Sequence, residues 1–196
     1  CGLGLDALAF AAAGLQVTGV ERDPQIAAMA AANGVPRVIT GDLTDPVVLA
    51  AALADADAAF LDPARRDPRA PRSTDGGGRR LDPQSWSPPW SWVRELAEAR
   101  PGLGVVAKLA PGVPRDLAPA WELVWTSVAG DLVEAAAWSP RLARPGVGRA
   151  AVLLTAEGRA REVVADDDPF GEDAGGGRAP VGAVGAVVVE PDDALI

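Results

Sequence analysis

The sequence predicts an α/β fold, a mainly parallel sheet with antiparallel edge strands, and three observations lead to it. Short apolar runs rich in β-branched residues alternate with Ala-rich helical runs from Leu5 to Leu109. Asp-Pro pairs recur at the starts of those helical runs, at Asp23-Pro24 and Asp45-Pro46. After Leu109 the helical runs give way to strand-like runs separated by turns. Strands alternating with helices pair in parallel through crossovers, whereas strands in direct succession turn back on one another.

The elements follow in order. Leu5 to Ala13 is rich in Ala and Leu and is stopped by Gly14, a helix with its C-terminal glycine. Leu15 to Val20 alternates as a strand and ends at Glu21. Asp23 as N-cap and Pro24 at the first helical position open a helix that runs to Ala32, before Asn33-Gly34. Arg37 to Thr40 is a short strand ending in Gly41-Asp42. Asp45-Pro46 opens the next helix, to about Ala54, and Ala58 to Leu61 is a strand ending in Asp62-Pro63. A long loop rich in Arg, Gly and Pro precedes a helix from Trp90 to Ala99 and a strand from Gly104 to Leu109. Leu123 to Val128, Val133 to Trp138 and Ala150 to Thr155 read as the antiparallel end of the sheet. Asp166 to Arg178 is acidic and Gly-rich, a loop or linker, and Val181 to Val189 is strand-like.

Composition narrows the chemistry. There is one Cys and no His, which excludes an internal disulfide, Cys-rich metal centres and the Ser-His-Asp and Cys-His nucleophiles. No clustered ligand pattern asks for a metal. No apolar run reaches the ~20 residues of a membrane span, so no membrane partner is expected and a cytoplasmic location is the default. The net charge of −9 is concentrated at one end: from Glu162 onward nine acids face one Arg. Earlier, Arg65, Arg66, Arg69, Arg72, Arg79 and Arg80 crowd one loop against Asp67 and Asp75. Such a patch can bind nucleic-acid phosphate, pair internally, or simply face solvent.

The candidate chemistry lies at strand ends. Cys1-Gly2-Leu3-Gly4 opens a helix, where glycines permit close approach of a ligand and the N-terminus offers N–H groups and positive dipole. Glu21, nineteen residues after Gly2, ends the next strand, where a carboxylate can accept both hydroxyls of a ribose. These two features alone also suit NAD or FAD, or a plain turn with a solvated acid. Asp42 can accept an adenine exocyclic amine or shape a turn. Asp62 closes the series at the carboxyl end of a third successive strand, where open α/β sheets bind ligands.

The ordered set Cys1-Gly2-Leu3-Gly4, Val20-Glu21-Arg22-Asp23, Gly41-Asp42-Leu43 and Leu61-Asp62-Pro63 resembles motifs I to IV of class I S-adenosylmethionine-dependent methyltransferases. The layout is similar to RNA methyltransferases of the cap guanine-N2 kind. It is closer to bacterial class I methyltransferases with a THUMP-like C-terminal segment, through Asp62-Pro63-Ala64-Arg65-Arg66-Asp67 and the ending Val189-Glu190-Pro191-Asp192. The resemblance implies a Rossmann-like sheet whose first strand, with an acidic residue on it, lies upstream of Cys1, so that this chain lacks that strand and folds poorly in isolation. It implies a methyltransferase domain over residues 1–160, an acidic linker over 161–178, and the start of a THUMP-like segment over 179–196.

For function the resemblance implies S-adenosylmethionine as cofactor and N-methylation of an RNA base. Cys1, Gly2 and Gly4 would border the methionine part, Glu21 with Arg22 the ribose, and Asp42 with Leu43 the adenine. Asp62 would be catalytic, facing the acceptor, with Pro63, Arg65, Arg66 and Trp90 on the substrate side. The motif departs from the family pattern at Ala64 and Arg65, which replace a second Pro and an aromatic ring. Stacking on the base would then fall to Arg65, Trp86 or Trp90, although the three tryptophans Trp86, Trp90 and Trp92 equally suit packing under a Pro-rich loop. Lys108, the one Lys, ends an apolar strand and suits a snorkelling role. The readings left open are a nucleotide-dependent oxidoreductase and a non-catalytic RNA-binding module on a methyltransferase fold.

Overall fold

Asp23 and Asp45 act as the N-caps that their Asp-Pro context predicts in the computed structural model, which describes residues 1–64 and 82–164. Asp23 accepts from the N–H groups of Gln25 and Ile26, and Asp45 from those of Val47 and Val48, so orphan donors of each first turn are satisfied. Pro at the first helical position costs nothing, because its missing N–H would have had no intrahelical partner. The chain divides into two compact units, one over Cys1–Leu96 and one from Ala97 onward.

The first unit begins with α1 (Leu5–Ala12), followed by β1 (Thr18–Glu21), α2 (Pro24–Ala32), β2 (Arg37–Thr40), α3 (Pro46–Ala52), β3 (Ala58–Leu61) and a 3-10 turn at Pro83–Ser85. Helix α4 (Trp90–Ala99) leads into the second unit. β1 and β2 pair in parallel, Thr18 opposite Arg37 through Glu21 opposite Thr40. Parallel pairing requires a crossover, and α2 supplies it. The small core under this layer is Ala7, Ala30 and Val35, with Leu8, Val17 and Val38 packed against it. Ala7 of α1 and Ala30 of α2 both belong to this core. Edge-to-face contact of Phe10 with Phe60, ring centroids 5.1 Å apart, sets β3 beside α1.

The second unit holds β4 (Gly104–Leu109), β5 (Glu122–Val128), β6 (Asp131–Trp138), β7 (Arg149–Leu154) and β8 (Ala160–Val164), in the spatial order β4-β6-β5-β7-β8. β6 runs antiparallel to both β4 and β5, and β8 antiparallel to β7. β5 and β7 pair in parallel, so these strands form a mixed arrangement where the sequence predicts antiparallel edges. The connection from Ala129 to Gly148 passes through β6, which leaves β7 entering the sheet in the same direction as β5. The β5–β6 hairpin turns on Ala129 and Gly130, both at positive φ (53° and 91°), as a tight two-residue turn requires. Five of the six residues of β4 are buried, and its near-continuous apolar sequence is what burial on both faces demands.

Two elements differ from the sequence-based expectation. β8 takes in Arg161 to Val164, the first residues of the expected acidic linker, because Glu162, Val163 and Val164 find partners in Val152, Ala151 and Ala150 of β7. The 3-10 turn at Pro83–Ser85 sits within the expected loop and is capped by Asp82, which accepts from the Gln84 N–H at 2.9 Å. The rest of the linker, the THUMP-like start and the Arg-rich loop lie outside the described residues.

Candidate functional site at the ends of β1 and β2

The Cys1–Gly4 segment is a tight turn, closed by the Gly4 N–H on the Cys1 carbonyl at 3.1 Å. Gly2 and Gly4 both have positive φ (56° and 85°), which explains the choice of glycine without any ligand. Their surroundings differ. A Cβ on Gly4 would lie 2.3 Å from Val35 Cγ2, so this glycine is demanded by packing against the chain itself. A Cβ on Gly2 would meet nothing within 4 Å, so Gly2 faces open space where a ligand can approach the backbone. The turn is tied to the end of α2 by Asn33, whose side-chain amide donates to the Leu3 carbonyl at 3.0 Å. Gly4 is the residue preceding α1, and no side chain caps that helix. Its N-terminus therefore presents positive dipole beside Gly2.

Glu21 latches this turn to β1. Its Oε2 accepts from the Gly2 N–H at 2.8 Å and from the Cys1 nitrogen at 3.1 Å, and its Oε1 from the Asp23 N–H at 3.1 Å. Burial pushes the carboxylate up, but hydrogen bonds from the N–H groups of Asp23 and Gly2 and from the Cys1 nitrogen hold Glu21 below its usual value. The carboxylate is thus charged, fixed in direction, and retains acceptor capacity on Oε1.

Asp42 stands next to it because β1 and β2 end together. Glu21 is paired with Thr40, and the Gly41 N–H donates to the Glu21 carbonyl at 2.9 Å. A Cβ on Gly41 would lie 2.6 Å from Val48 Cγ2, so glycine here lets the start of α3 close over the strand end. The Asp42 carboxylate accepts from the Thr44 hydroxyl at 2.7 Å and the Thr44 N–H at 2.9 Å, both on Oδ1. Those two bonds, with the positive charge of Arg22, hold it below its ordinary value. Leu43 is half-buried between Asp42 and Thr44.

Asp62 follows β3 directly, and Pro63 behind it is fully buried. The next residue is pinned: Ala64 and Ser87 exchange two backbone hydrogen bonds at 2.8 and 3.1 Å. Asp62 therefore sits on a fixed strand-to-loop junction rather than on a free loop. Trp86 and Trp90 are 3% and 2% exposed, which fits aromatic packing and leaves their rings almost no surface for stacking on a base. Arg65 and Arg66 lie outside the described residues.

Hydrogen bonds and charge thus join Cys1, Gly2, Glu21, Arg22 and Asp42, with Asp62 placed separately at the end of β3. Thr44 and Asn33 are the two side chains that hold this arrangement without having stood out in the sequence. The signal for Thr44 was the Asp-x-Thr spacing of a side-chain turn, Asp42-Leu43-Thr44. The donors and acceptors suit a nucleoside carrying an amino-acid carboxylate: an open glycine backbone, an uncapped helix N-terminus, and two ionised carboxylates on adjacent strands.

No family model matches the sequence, and no curated protein matches it. Among solved structures, the chain is similar to the crystal structure of a "putative methyltransferase" from Porphyromonas gingivalis W83, with a TM-score of 0.54 and 19% identity. The match covers 83% of this chain and 40% of that one, so the chain spans about two-fifths of that protein's length. The likeness at this identity is one of fold alone.

Proposed function

We propose that the protein is an S-adenosylmethionine-dependent methyltransferase acting on a nitrogen of an RNA base. The observation that carries the reading is the pairing of Glu21 and Asp42, two fixed and ionised carboxylates at the ends of adjacent parallel strands, with the open Gly2 backbone hydrogen-bonded to the first. In this reading Glu21 takes the ribose hydroxyls with Arg22 beside it, and Asp42 with Leu43 takes the adenine. The Cys1–Gly4 turn and the start of α1 take the methionine carboxylate. A nucleotide oxidoreductase would use the first loop and Glu21 but gives Asp42 no task.

S-adenosylmethionine supplies an electrophilic methyl on a sulfonium, which would pass to an acceptor nitrogen, with S-adenosylhomocysteine as the leaving group and the nitrogen's proton going to water. Asp62 accepts a hydrogen bond from the acceptor amine and aims its lone pair, which suits a chain with no His to act as base. The pinned Pro63-Ala64 junction keeps that aim. Arg65 and Arg66 belong to the substrate side, where guanidinium groups match RNA phosphates. The THUMP-like segment, the division at residues 160 and 178, and a cytoplasmic location are parts of the same proposal.

Calorimetry with S-adenosylmethionine and with NAD tests the cofactor, and binding of NAD alone would overturn the reading. Methyl-label transfer to total RNA from a strain lacking the gene, followed by nucleoside mass spectrometry, tests the substrate. Binding of RNA and S-adenosylmethionine with no methylated nucleoside would instead favour a non-catalytic RNA-binding module.

A further inference from the structure

We infer that Thr44 is a positioning residue, whose hydroxyl and N–H hold one oxygen of the Asp42 carboxylate so that the other is presented at the end of β2. The inference rests on the assignment of Asp42 to the cofactor and deepens it.

The turn after β2 has its own supports. The Asp45 N–H donates to the Asp42 carbonyl at 3.0 Å, the Gly41 N–H donates to the Glu21 carbonyl, and Gly41 packs against Val48. The cap of α3 is supplied by Asp45, whose carboxylate accepts from Val47 at 2.7 Å and Val48 at 3.4 Å. Asp42 is therefore not the helix cap. The Thr44 hydroxyl is also exposed, so it has no burial requirement that would force a partner on it. It nevertheless lies 2.7 Å from Asp42 Oδ1, the same oxygen that accepts the Thr44 N–H. Two donors on one oxygen fix the carboxylate plane and leave Oδ2 as the acceptor for an incoming amine. Hydrogen bonds to the ionised form also keep the group an acceptor as pH falls.

The charged groups around Asp42 are few enough for a clean test. Arg22 acts on it from the end of β1, Glu21 ends the paired strand, and the Asp45 carboxylate is turned to its helix. Thr44→Val removes the hydroxyl but keeps the β-branch and the N–H, while Thr44→Ser keeps the hydroxyl.

S-adenosylmethionine affinity measured by calorimetry between about pH 4 and 8 should fall about three- to tenfold in Thr44→Val, the effect of one hydrogen bond. The acid limb of binding should move to higher pH, and Thr44→Ser should restore both. A purely structural Thr44 would lower the melting temperature and leave the acid limb in place, which overturns the inference. Carbon-13 titration of the Asp42 carboxyl reads the same interaction without ligand. It should move upward in Thr44→Val and Thr44→Ala and return in Thr44→Ser, and an unmoved titration in Thr44→Ala overturns the inference even where the valine variant folds badly. Failure of the unaltered protein to bind S-adenosylmethionine would sink the cofactor reading, a result distinct from equal binding by Thr44→Val, which sinks only the role of Thr44.

Discussion

Removing the Glu21 carboxylate has two separable consequences, because the same group that is proposed to hold a ribose also latches the glycine turn. In Glu21→Ala the Gly2 and Asp23 N–H groups and the Cys1 nitrogen lose a common acceptor at 2.8, 3.1 and 3.1 Å. The side chain is 15% exposed, so water can reach the freed donors and recover part of the loss. A stability cost of about 2 kcal/mol follows, toward the low end for several bonds to a charged acceptor, or about 4–8 °C of melting temperature for a chain of this size. The loss of affinity for S-adenosylmethionine is expected at about 1.5–3 kcal/mol, roughly 10- to 150-fold. Glu21→Gln keeps the shape but turns an amide N–H₂ toward a donor, so it should lie between the two. The pH sign follows from the lowered carboxylate: its contribution is present above the ordinary value of 4.5 and is lost as pH falls through the lower folded value. Glu21→Ala should therefore differ from the unaltered protein at neutral pH and converge with it in acid. Calorimetry and thermal melting on the same samples separate the roles. A lowered melting temperature with unchanged affinity would refute the ribose assignment and leave Glu21 as a latch alone.

Asp62→Ala should reduce single-turnover methyl transfer about 10²-fold or more while changing cofactor affinity little, since misplacing an acceptor is costly and the nucleoside is held elsewhere; a retained rate at saturating cofactor would remove Asp62 from the chemistry. Gly4→Ala should destabilise the first unit by about 3 kcal/mol, from positive φ and from overpacking against Val35, with urea unfolding as the measure. Arg144→Ala should cost about 2–3 kcal/mol in the same assay, because Glu122, 3% exposed, keeps its bond from the Arg144 N–H but loses those from Nε and the guanidinium. Glu162→Gln, which breaks the outer pair of the same guanidinium at 45% exposure, should change stability by about 0–1 kcal/mol.

The first unit was legible in the sequence because its signals are local. Pro24–Ala32, Arg37–Thr40, Ala58–Leu61 and Trp90–Ala99 match the elements read from caps, glycine stops and β-branched runs. Ends were less certain where the signal is weak: the strand expected from Leu15 begins at Thr18, and the helix expected to reach Ala54 stops at Ala52. β8 was missed because Ala160-Arg161-Glu162 carries no apolar alternation of its own. Its strand character comes from the partner β7.

That Glu21 and Asp42 follow strands with a common direction could be read from the sequence, since strands joined by a helix pair in parallel. What each acid does could not. Only the tertiary structure turned the Glu21 carboxylate back onto Gly2, gave Gly4 a packing reason in Val35, buried Trp90, and set the Thr44 hydroxyl against Asp42. It also decided that β7 runs parallel to β5. Caps, turns and periodicity are written within a few residues of one another, whereas a hydrogen bond across nineteen positions or a 2.3 Å clash across thirty-one depends on how separate elements pack. The sequence by itself determined that Glu21 and Asp42 follow neighbouring parallel strands, and packing determined the partners that hold them.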